Sequence, residues 1–374
     1  MDDLAFEGIG GPVAAIDTPA LLVDHDALGR NIERMAEFGR TAGVGIRPHA
    51  KTHKTSVIAH MQVAAGAVGQ CAQKVGEAEI LVAGGVKDVL VANEVVGPAK
   101  LHRLATLARQ SRITVAVDHP DAVSALAEAA RHHDVSLGVV VDVDVGLGRC
   151  GVLPGDAVEL GQHVSQLQGV ELRGLQGYHG AIQHVHGYGQ RAEAARAASA
   201  QLQAAVDAFQ QAGLATEVIT GAGSGTYEVQ GSSGLFTEIQ PGSYIFMDRQ
   251  YCEVGGRTGE VYEDFEPALF VLATVMSTPA ADRVVLDAGY KALSNDAGPA
   301  LLLDKPGWTY TYGGDEHGII KRAGSAAASM ALGEKVRVQP SHCDTTINLY
   351  DRYHVYSGDE LIAIWPIAAR GRSQ

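Results

Sequence analysis

Residues 136–178 read SLGVVVDVDVGLGRCGVLPGDAVELGQHVSQLQGVELRGLQGY and contain the unit that decides the fold. A β-branched run, Ser136–Val145, is followed by a Gly-rich turn, an amphipathic stretch at Pro154–Leu167 and a second apolar run at Val170–Tyr178. A strand, a helix and a strand in this order predict a right-handed crossover between two parallel strands. The same alternation extends in both directions along the chain.

Eight such apolar runs occur between residues 44 and 246. Besides the two quoted above, they are Val44–His49, Val68–Gln73, Asp88–Asn93, Ile113–Asp118, Glu217–Thr220 and Glu238–Phe246. The other amphipathic stretches are Thr55–Ala65, Gly76–Ala83, Pro98–Arg109, Pro120–His132 and Gln190–Ala212. Eight strands alternating with helices predict an α/β protein with a (β/α)8, TIM-like barrel. Polar residues follow every run, which favours a barrel over an open doubly wound sheet, because an open sheet collects its ligands at one switch point.

A mostly-β domain is predicted after the barrel. Short strands linked by Gly, Asp and Pro turns are expected at Ala268–Met276, Arg283–Ala288, Lys335–Gln339, Asn348–Tyr356 and Leu361–Pro366. The Gly- and acid-rich stretch 251–267 is the natural linker or a lid.

Composition excludes several classes of function. The chain has 374 residues, of which 46% are apolar and 19% charged, and its net charge is −14. A chain this acidic is not expected to bind nucleic acid. No apolar run is long enough to span a membrane, and the start of the chain lacks the pattern of a secretory signal. The four widely spaced cysteines are expected to be reduced thiols, which together with these features favours a cytoplasmic protein.

The segment RPHAKTHK, residues 47–54, concentrates basic groups in an acidic protein. With the side-chain period of a strand, Arg47, His49 and Lys51 share one face, which places Lys51 in the barrel mouth. Like charges and burial would lower the pKa of the Lys51 amine, as Schiff-base chemistry requires. The alternative is that Lys51 and Lys54 are surface lysines at a helix start.

The loop TGAGSGT, residues 220–226, follows the seventh run, where barrels commonly bind phosphate. Its glycines let backbone amides approach an anion, and Thr220, Ser224 and Thr226 add hydroxyl donors. It lacks the lysine of a Walker A loop. The alternative is a tight turn without a ligand.

Other candidate residues follow later runs. On a strand, His342 and Asp344 would face the same side and together hold a divalent cation, or simply hydrogen-bond to each other. Tyr178 could stack on a ring, and His184 could move a proton near neutral pH. Arg149 could bind a ligand oxygen or pair with Asp142 or Asp144.

The motifs RPHAKTHK, CAQKVGEAE, VANEVVGPAKL, DVDVGLGRCG, GLQGYHG, TGAGSGTYE, QPGSYIFMD and PSHCDTTINLYD occur in this order. Together they resemble the D-threonine aldolase and D-serine dehydratase group, which are pyridoxal-phosphate enzymes with the alanine-racemase-type fold (fold type III). The resemblance covers nearly the whole chain. It implies a barrel at 27–262, a β-domain at 263–374 with a metal site, and an amino-terminal segment 1–26 whose strand near Thr18–Asp24 joins that β-domain. It also implies a homodimer whose active site lies between the barrel of one subunit and the β-domain of the other.

The resemblance also implies roles for individual residues. The Schiff-base lysine falls on Lys51, and the substrate-side histidine of the aldolases falls on His184. Ring contacts fall on Gln73, Arg149 and Tyr178, and the phosphate loop, with Thr220 before it, falls on Gly221, Gly223, Ser224, Gly225 and Thr226. The metal pair falls on His342 and Asp344. The dehydratases of this group carry His-x-Cys there, whereas the carboxylate of Asp344 suits manganese or magnesium, which is the aldolase pattern.

The activity implied is cleavage of D-3-hydroxy amino acids such as D-threonine to glycine and an aldehyde, with pyridoxal phosphate and a divalent metal as cofactors. Two alternatives stay open: an aldolase acting on 3-hydroxy-D-aspartate, and a dehydratase that eliminates the β-hydroxyl of D-serine or 3-hydroxyaspartate. A racemase and a catalytically idle cofactor-binding barrel are disfavoured, because neither uses a metal pair.

Overall fold

The structure is a computed structural model that describes residues 8–323 and 329–374. Residues 1–7 and 324–328, which fall in the predicted segments 1–26 and 263–374, lie outside this description. The chain divides into two compact units. The β unit comprises Met1–Asn31, Ser243–Glu253 and Val261–Arg370, and the barrel unit comprises Ile32–Gly242, Val254–Glu260 and Gly371–Gln374. The bounds therefore differ from the predicted segments: residues 27–31, 243–253 and 261–262 group with the β unit, and residues 371–374 group with the barrel unit.

The secondary structure alternates through the barrel unit and is mostly strand in the rest of the chain. The strands are β1 (Ala20–Asp24), β2 (Gly45–Ile46), β3 (Gln70–Ala72), β4 (Asp88–Val91), β5 (Arg112–Val117), β6 (Leu137–Asp142), β7 (Val170–Gly177), β8 (Val218–Gly221), β9 (Glu238–Ile239), β10 (Leu269–Ala280), β11 (Arg283–Leu286), β12 (Leu301–Leu302), β13 (Trp308–Tyr312), β14 (Gly318–Arg322), β15 (Lys335–Gln339), β16 (Arg352–Ser357) and β17 (Glu360–Pro366). The α-helices are α1 (His25–Ala42), α2 (Ser56–Ala64), α3 (Val75–Ala83), α4 (Pro98–Leu107), α5 (Pro120–His132), α6 (Ala157–Gln166), α7 (Tyr188–Gln211), α8 (Tyr227–Gly231), α9 (Arg249–Cys252) and α10 (Cys343–Ile347).

The barrel unit contains a sheet of eight strands in the order β2-β9-β8-β7-β6-β5-β4-β3, and all of its pairs are parallel. A parallel bridge between His49 and Cys71 joins the segment after β2 to β3 and so connects the two edges of the sheet. The predicted fold class, a TIM-like parallel barrel followed by a mostly-β domain, is confirmed.

Buried apolar side chains from the strands fill the centre of the barrel unit. They are Cys71, Leu90, Ala92, Ala116, Val140 and Val218. Capping residues mark the start of two of the helices: the Thr55 side chain accepts the N–H of Val57 at α2, and the His119 side chain accepts that of Asp121 at α5. Pro98 and Pro120 occupy first helical positions, as their fixed φ allows.

Two predicted barrel strands are shorter than the sequence indicated. The run Val44–His49 forms a ladder only at Gly45–Ile46, and Glu238–Phe246 only at Glu238–Ile239. Proline interrupts both, because Pro48 and Pro241 have no N–H to donate to a neighbouring strand. Residues 243–245 form a 3-10 turn in the β unit, so the prediction that they end the eighth barrel strand is wrong.

The β unit is built on a nine-stranded sheet in the order β13-β14-β11-β10-β1-β16-β17, with β15 pairing to both β10 and β12. The amino-terminal strand β1 lies inside this sheet, antiparallel to β10 and parallel to β16. Its inward residues pack in a buried apolar cluster formed by Val13, Ile16, Ala20, Leu22, Phe270, Leu272, Tyr356 and Leu361. None of the helices in residues 8–323 and 329–374 combines the length and the hydropathy that a membrane crossing demands.

A buried ion cluster lies in the barrel unit, where Arg47 bridges two strands. Its guanidinium donates to both carboxylate oxygens of Glu238, at 2.6 and 2.9 Å, and to Asp88 at 2.6 Å. Only 5% of the Arg47 side chain and 8% of the Glu238 side chain are exposed. Arg47 thus ties β9 to β4 across the segment that follows β2, and its charge is compensated by two carboxylates.

Arg47→Met is expected to lower the free energy of unfolding by about 3–5 kcal/mol, because it leaves the buried carboxylate of Glu238 without its counter-charge. Urea titration of the parent and the variant measures this loss. The control is Arg103→Met, whose bidentate pair with Glu79 lies at the surface and should cost about 1 kcal/mol or less. Equal losses in the two variants would contradict the role assigned to Arg47.

Candidate active site

Lys51 lies in a 3-10 turn, Ala50–Thr52, that follows β2 in the barrel unit. His49 holds this turn: its Nδ1 accepts the backbone N–H of Lys51 at 3.4 Å, and its Nε2 lies 3.0 Å from Oε1 of Gln73. Because Nδ1 is an acceptor, the proton of the neutral ring is on Nε2, which donates to Gln73. Lys51 is half-buried, and Gln73 follows the adjacent strand β3.

The expectation that Arg47, His49 and Lys51 share one face of a strand is wrong. His49 is still extended and bridged to Cys71, but a 3-10 turn begins at Ala50, so the period of two does not reach Lys51. Glu238 and Asp88 compensate the positive charge of Arg47, which weakens the predicted repulsion between Arg47 and Lys51.

Lys54 is not a surface lysine either. Its Nζ donates to Oε1 of Glu77 at 2.5 Å, and both side chains are about 95% buried, with exposures of 5% and 4%. The second oxygen of Glu77 accepts the backbone N–H of Gln73 at 2.8 Å. Lys54 is therefore committed to a structural ion pair, and Lys51 is the lysine of this motif whose side chain is half-exposed.

The loop after β8 leaves no room for a side chain at Gly221 and Gly225. A Cβ at Gly221 would lie 2.1 Å from the carbonyl oxygen of Gly177, and one at Gly225 would lie 2.3 Å from that of Gln183. Ala222, between them, has a φ of +61°, in the left-handed region that non-glycine residues rarely adopt. The glycines of the predicted phosphate loop are thus required by close backbone approach.

Gln183 supports this loop from one side. Its Oε1 accepts the N–H of Gly225 at 3.0 Å, and its Nε2 donates to Oγ1 of Thr226 at 3.0 Å. Thr226 also donates to Gln230 at 2.5 Å, and Thr220 accepts from Nε2 of Gln240 at 2.9 Å. The backbone amides of Gly223 and Thr226, like that of Gly225, also serve hydrogen bonds inside the loop region, so these groups and the two threonine hydroxyls are not the donors a phosphate would use here.

Arg149 and Tyr178 form a pair at the ends of two neighbouring strands. The guanidinium carbon of Arg149 lies 5.8 Å from the ring centroid of Tyr178, within the range of a cation–π contact. The acids that were alternative partners are otherwise engaged. Asp144 accepts the N–H groups of Gly146 and Gly148, and the bond from Gly148 lowers the pKa of Asp144 most. Asp142 accepts from Nε2 of Gln176 at 2.9 Å.

His184 ends a 3-10 turn, Ala181–His184, that begins soon after β7. It is half-buried, and Gln183, which supports the Gly-rich loop, is its chain neighbour. The turn therefore couples the position of this imidazole to the position of the loop.

Glu94, Asp118 and Cys150, which follow β4, β5 and β6, form a cluster to which the sequence motifs assigned no role. Ligand atoms of Glu94, Asp118 and Cys150 all lie within 4.8 Å of one another. Burial, and next the charge of Glu94, raise the pKa of Asp142 well above its usual value. Burial also raises the pKa of the Cys150 thiol to about 11, which makes it a poor nucleophile. Glu94 and Asp118 lie at the ends of the predicted runs Asp88–Asn93 and Ile113–Asp118, but nothing in those runs indicated that the two acids meet.

The predicted metal pair lies in the β unit but not on a strand. His342 is the N-cap residue of α10, and Asp344 lies in the first turn of that helix, because β15 ends at Gln339. Nδ1 of His342 is 2.6 Å from Oδ2 of Asp296, whose other oxygen accepts from Ser294 and Thr345. Burial disfavours the charged imidazole, but the carboxylates of Asp344, Asp296 and Asp248 together raise the pKa of His342.

This arrangement fits a metal ligand. A carboxylate on one ring nitrogen fixes the orientation of a ligating histidine and leaves the other nitrogen, Nε2 of His342, for the ion. Cys343, between the two proposed ligands, is fully buried, and its N–H donates to Asp248 at 3.0 Å. Burial raises the pKa of its thiol well above the usual value, which does not favour the thiolate that a metal ligand requires. Asp296 and Asp248 were not predicted, because both are far from His342 in the sequence.

Comparison with known proteins first gives the class. Residues 23–250 match the family described as alanine racemase, N-terminal domain, and residues 268–356 match the putative serine dehydratase domain. The class is therefore one in which an alanine-racemase-type barrel precedes a serine-dehydratase-type β-domain.

The more specific relatives span the whole chain. A D-threonine aldolase from Arthrobacter sp. is 43% identical over 98% of this chain and 96% of its own. A 3-hydroxy-D-aspartate aldolase from Paracoccus denitrificans is 39% identical over 96% and 93%. The crystal structure of D-threonine aldolase from Filomicrobium marinum has a TM-score of 0.94 at 42% identity and covers 98% of both chains. The chain belongs to the D-threonine aldolase family.

One further solved relative bears on the metal. A variant of D-threo-3-hydroxyaspartate dehydratase, with a TM-score of 0.84, 29% identity and coverage of 95% of this chain and 98% of that one, was solved in a metal-free form.

Proposed function

We propose that this protein is a carbon–carbon lyase that cleaves D-3-hydroxy amino acids, with D-threonine among them, into glycine and an aldehyde. The observation that carries the proposal is the arrangement after the strands of one parallel sheet. The half-buried Lys51 follows β2, and the glycine loop Gly221–Thr226 follows β8. The strands β2 and β8 lie on either side of β9 in this sheet. The relatedness to D-threonine aldolases over nearly the full chain supports the same activity.

The cofactor proposed is pyridoxal phosphate. Nζ of Lys51 would hold its aldehyde carbon, and the Gly-rich loop Gly221–Thr226 would hold its phosphate. Gln73, Arg149 and Tyr178 are proposed to contact the ring. Bound there, the cofactor supplies the electron sink that accepts the electron pair of the breaking Cα–Cβ bond.

The metal proposed is Mn²⁺ or Mg²⁺, held by Nε2 of His342 and a carboxylate oxygen of Asp344. A nitrogen and a carboxylate oxygen suit such ions, and Asp296 orients the imidazole. Bound there, the metal supplies positive charge that lowers the pKa of the substrate's β-hydroxyl.

The protein's own residues would move the protons and fix the orientation. An imidazole nitrogen of His184 accepts the β-hydroxyl proton as the carbonyl of the leaving aldehyde forms. His49 orients the side chain of Gln73, which would fix the amide group of Gln73 against the cofactor ring. Arg149 and Tyr178, which contact each other, would restrict the orientation of the substrate beside the cofactor ring. Return of a proton to Cα then yields glycine.

We further propose that the enzyme works as a homodimer on small amino acids, with each active site at the subunit interface. The net charge of −14 argues against a nucleic-acid partner. Among the described residues no helix suits a membrane. These features, with the cysteine pattern, favour a cytoplasmic location.

Product identification tests the proposal. The loaded enzyme with D-threonine and manganese is expected to give equal amounts of glycine and acetaldehyde and no ammonia. L-threonine, as the matched control, should give neither product. Ammonia and a 2-oxo acid from D-threonine or D-serine would instead indicate the dehydratase. Much faster cleavage of 3-hydroxy-D-aspartate, to glycine and glyoxylate, would indicate the aldolase type of the Paracoccus relative.

A further inference from the structure

Three histidines form a cluster in the barrel unit that the proposed chemistry does not use. His102 lies on α4, His132 is the last residue of α5, and His133 caps that helix. Each pair of rings has its centroids 5.2 Å apart. One ring nitrogen from each of the three residues lies within 4.8 Å of the other two.

The spacing of the nitrogens is close to that of a metal centre. Nδ1 of His102 is 3.1 Å from Nε2 of His133. In a tetrahedral zinc site with Zn–N bonds of about 2.0–2.1 Å, neighbouring nitrogens are about 3.3–3.4 Å apart. Small rotations of exposed imidazoles are enough to reach that geometry, and the backbone is already held, because Arg109 donates to the carbonyl oxygen of His133 at 3.0 Å.

The ligand set also selects the kind of ion. Three neutral imidazoles without a carboxylate in the set favour zinc, nickel or copper(II) over magnesium, calcium or manganese, which prefer oxygen ligands. His102 and His132 also line a surface cavity of about 700 Å³ together with Glu128. An ion on these rings therefore has an open coordination position beside that cavity.

We propose that His102, His132 and His133 form a second metal site, specific for borderline transition-metal ions such as Zn²⁺ and distinct from His342 and Asp344. The ion joins α4 to the end of α5 and takes water or a small anion as its fourth ligand. The site depends on no feature of the proposed aldolase reaction.

The test compares zinc content and thermal stability in three proteins. The double variant His102→Asn/His133→Asn removes two ligands. His119→Asn is the control, because it removes an exposed imidazole from the N-cap of the same helix α5 and replaces its capping Nδ1 with the side-chain oxygen of asparagine. Each protein is equilibrated with zinc chloride and dialysed against metal-free buffer. Its zinc is then counted by mass spectrometry.

The parent and the control are expected to retain one more zinc ion per chain than the double variant. Zinc should raise the melting temperature of the parent and the control more than that of the double variant, because an ion that binds only the folded state stabilises it. Equal zinc content and equal thermal response in all three proteins would overturn the proposal. An ion lost from His342 and Asp344 would be lost by all three proteins equally, so failure of the proposed function stays distinguishable from failure of this site.

Discussion

Replacing Lys51 with alanine is expected to abolish turnover of D-threonine and the visible absorbance of the bound cofactor together. Lys51 is half-buried, whereas the amine of Lys54, the other lysine of residues 47–54, is buried in an ion pair with Glu77. The loss of activity should exceed about 10³-fold, the scale on which a group acting in the transition state contributes. Absorbance spectra and glycine release measure the two effects.

Lys54→Met is the matched control for Lys51→Ala. Lys54 is paired with Glu77, and its removal leaves that carboxylate buried without a counter-charge. We expect the Lys54 variant to lose about 3–5 kcal/mol of unfolding free energy while keeping the absorbance band. If the Lys51→Ala protein keeps the absorbance band and a folded Lys54→Met protein lacks it, Lys54 is the residue that binds the cofactor covalently.

The alternation of apolar runs and amphipathic stretches was sufficient to predict the barrel. Parallel strands covered on both faces need apolar residues throughout, so runs such as Leu137–Asp142 are visible in the sequence. The lengths of β2 and β9 were not predictable from the same pattern. Pro48 and Pro241 end those ladders by lacking an N–H.

The supporting residues of the candidate site were beyond the sequence for a different reason. Gln183 contacts Gly225, and Asp296 contacts His342, so each bond joins residues more than 40 positions apart. Such pairs leave no local period or motif. His102 and His133 are likewise brought together only when α4 packs beside α5. The motif residues can be recognised in the sequence, whereas the residues that orient them come close to them only in the folded chain.

Asp344→Ala is expected to leave cofactor absorbance intact and to remove metal-dependent turnover, because His342 alone is too weak a ligand set to hold a divalent ion. The variant is most informative when combined with Lys51→Ala. The two substitutions fall in different units of the chain, Lys51 in the barrel unit and Asp344 in the β unit. A heterodimer carrying one substitution in each subunit therefore distinguishes the two ways of assembling an active site.

If each site combines one subunit's barrel unit with its partner's β unit, such a heterodimer has one site with both defects and one intact site. Heterodimers isolated by two different affinity tags should then show about half of the parental turnover per dimer, as two-fold symmetry requires. Both variant homodimers, carrying the same tags, should stay inactive. An inactive heterodimer would mean that Lys51 and Asp344 serve one site within a single chain, since each of its two sites would then carry one defect.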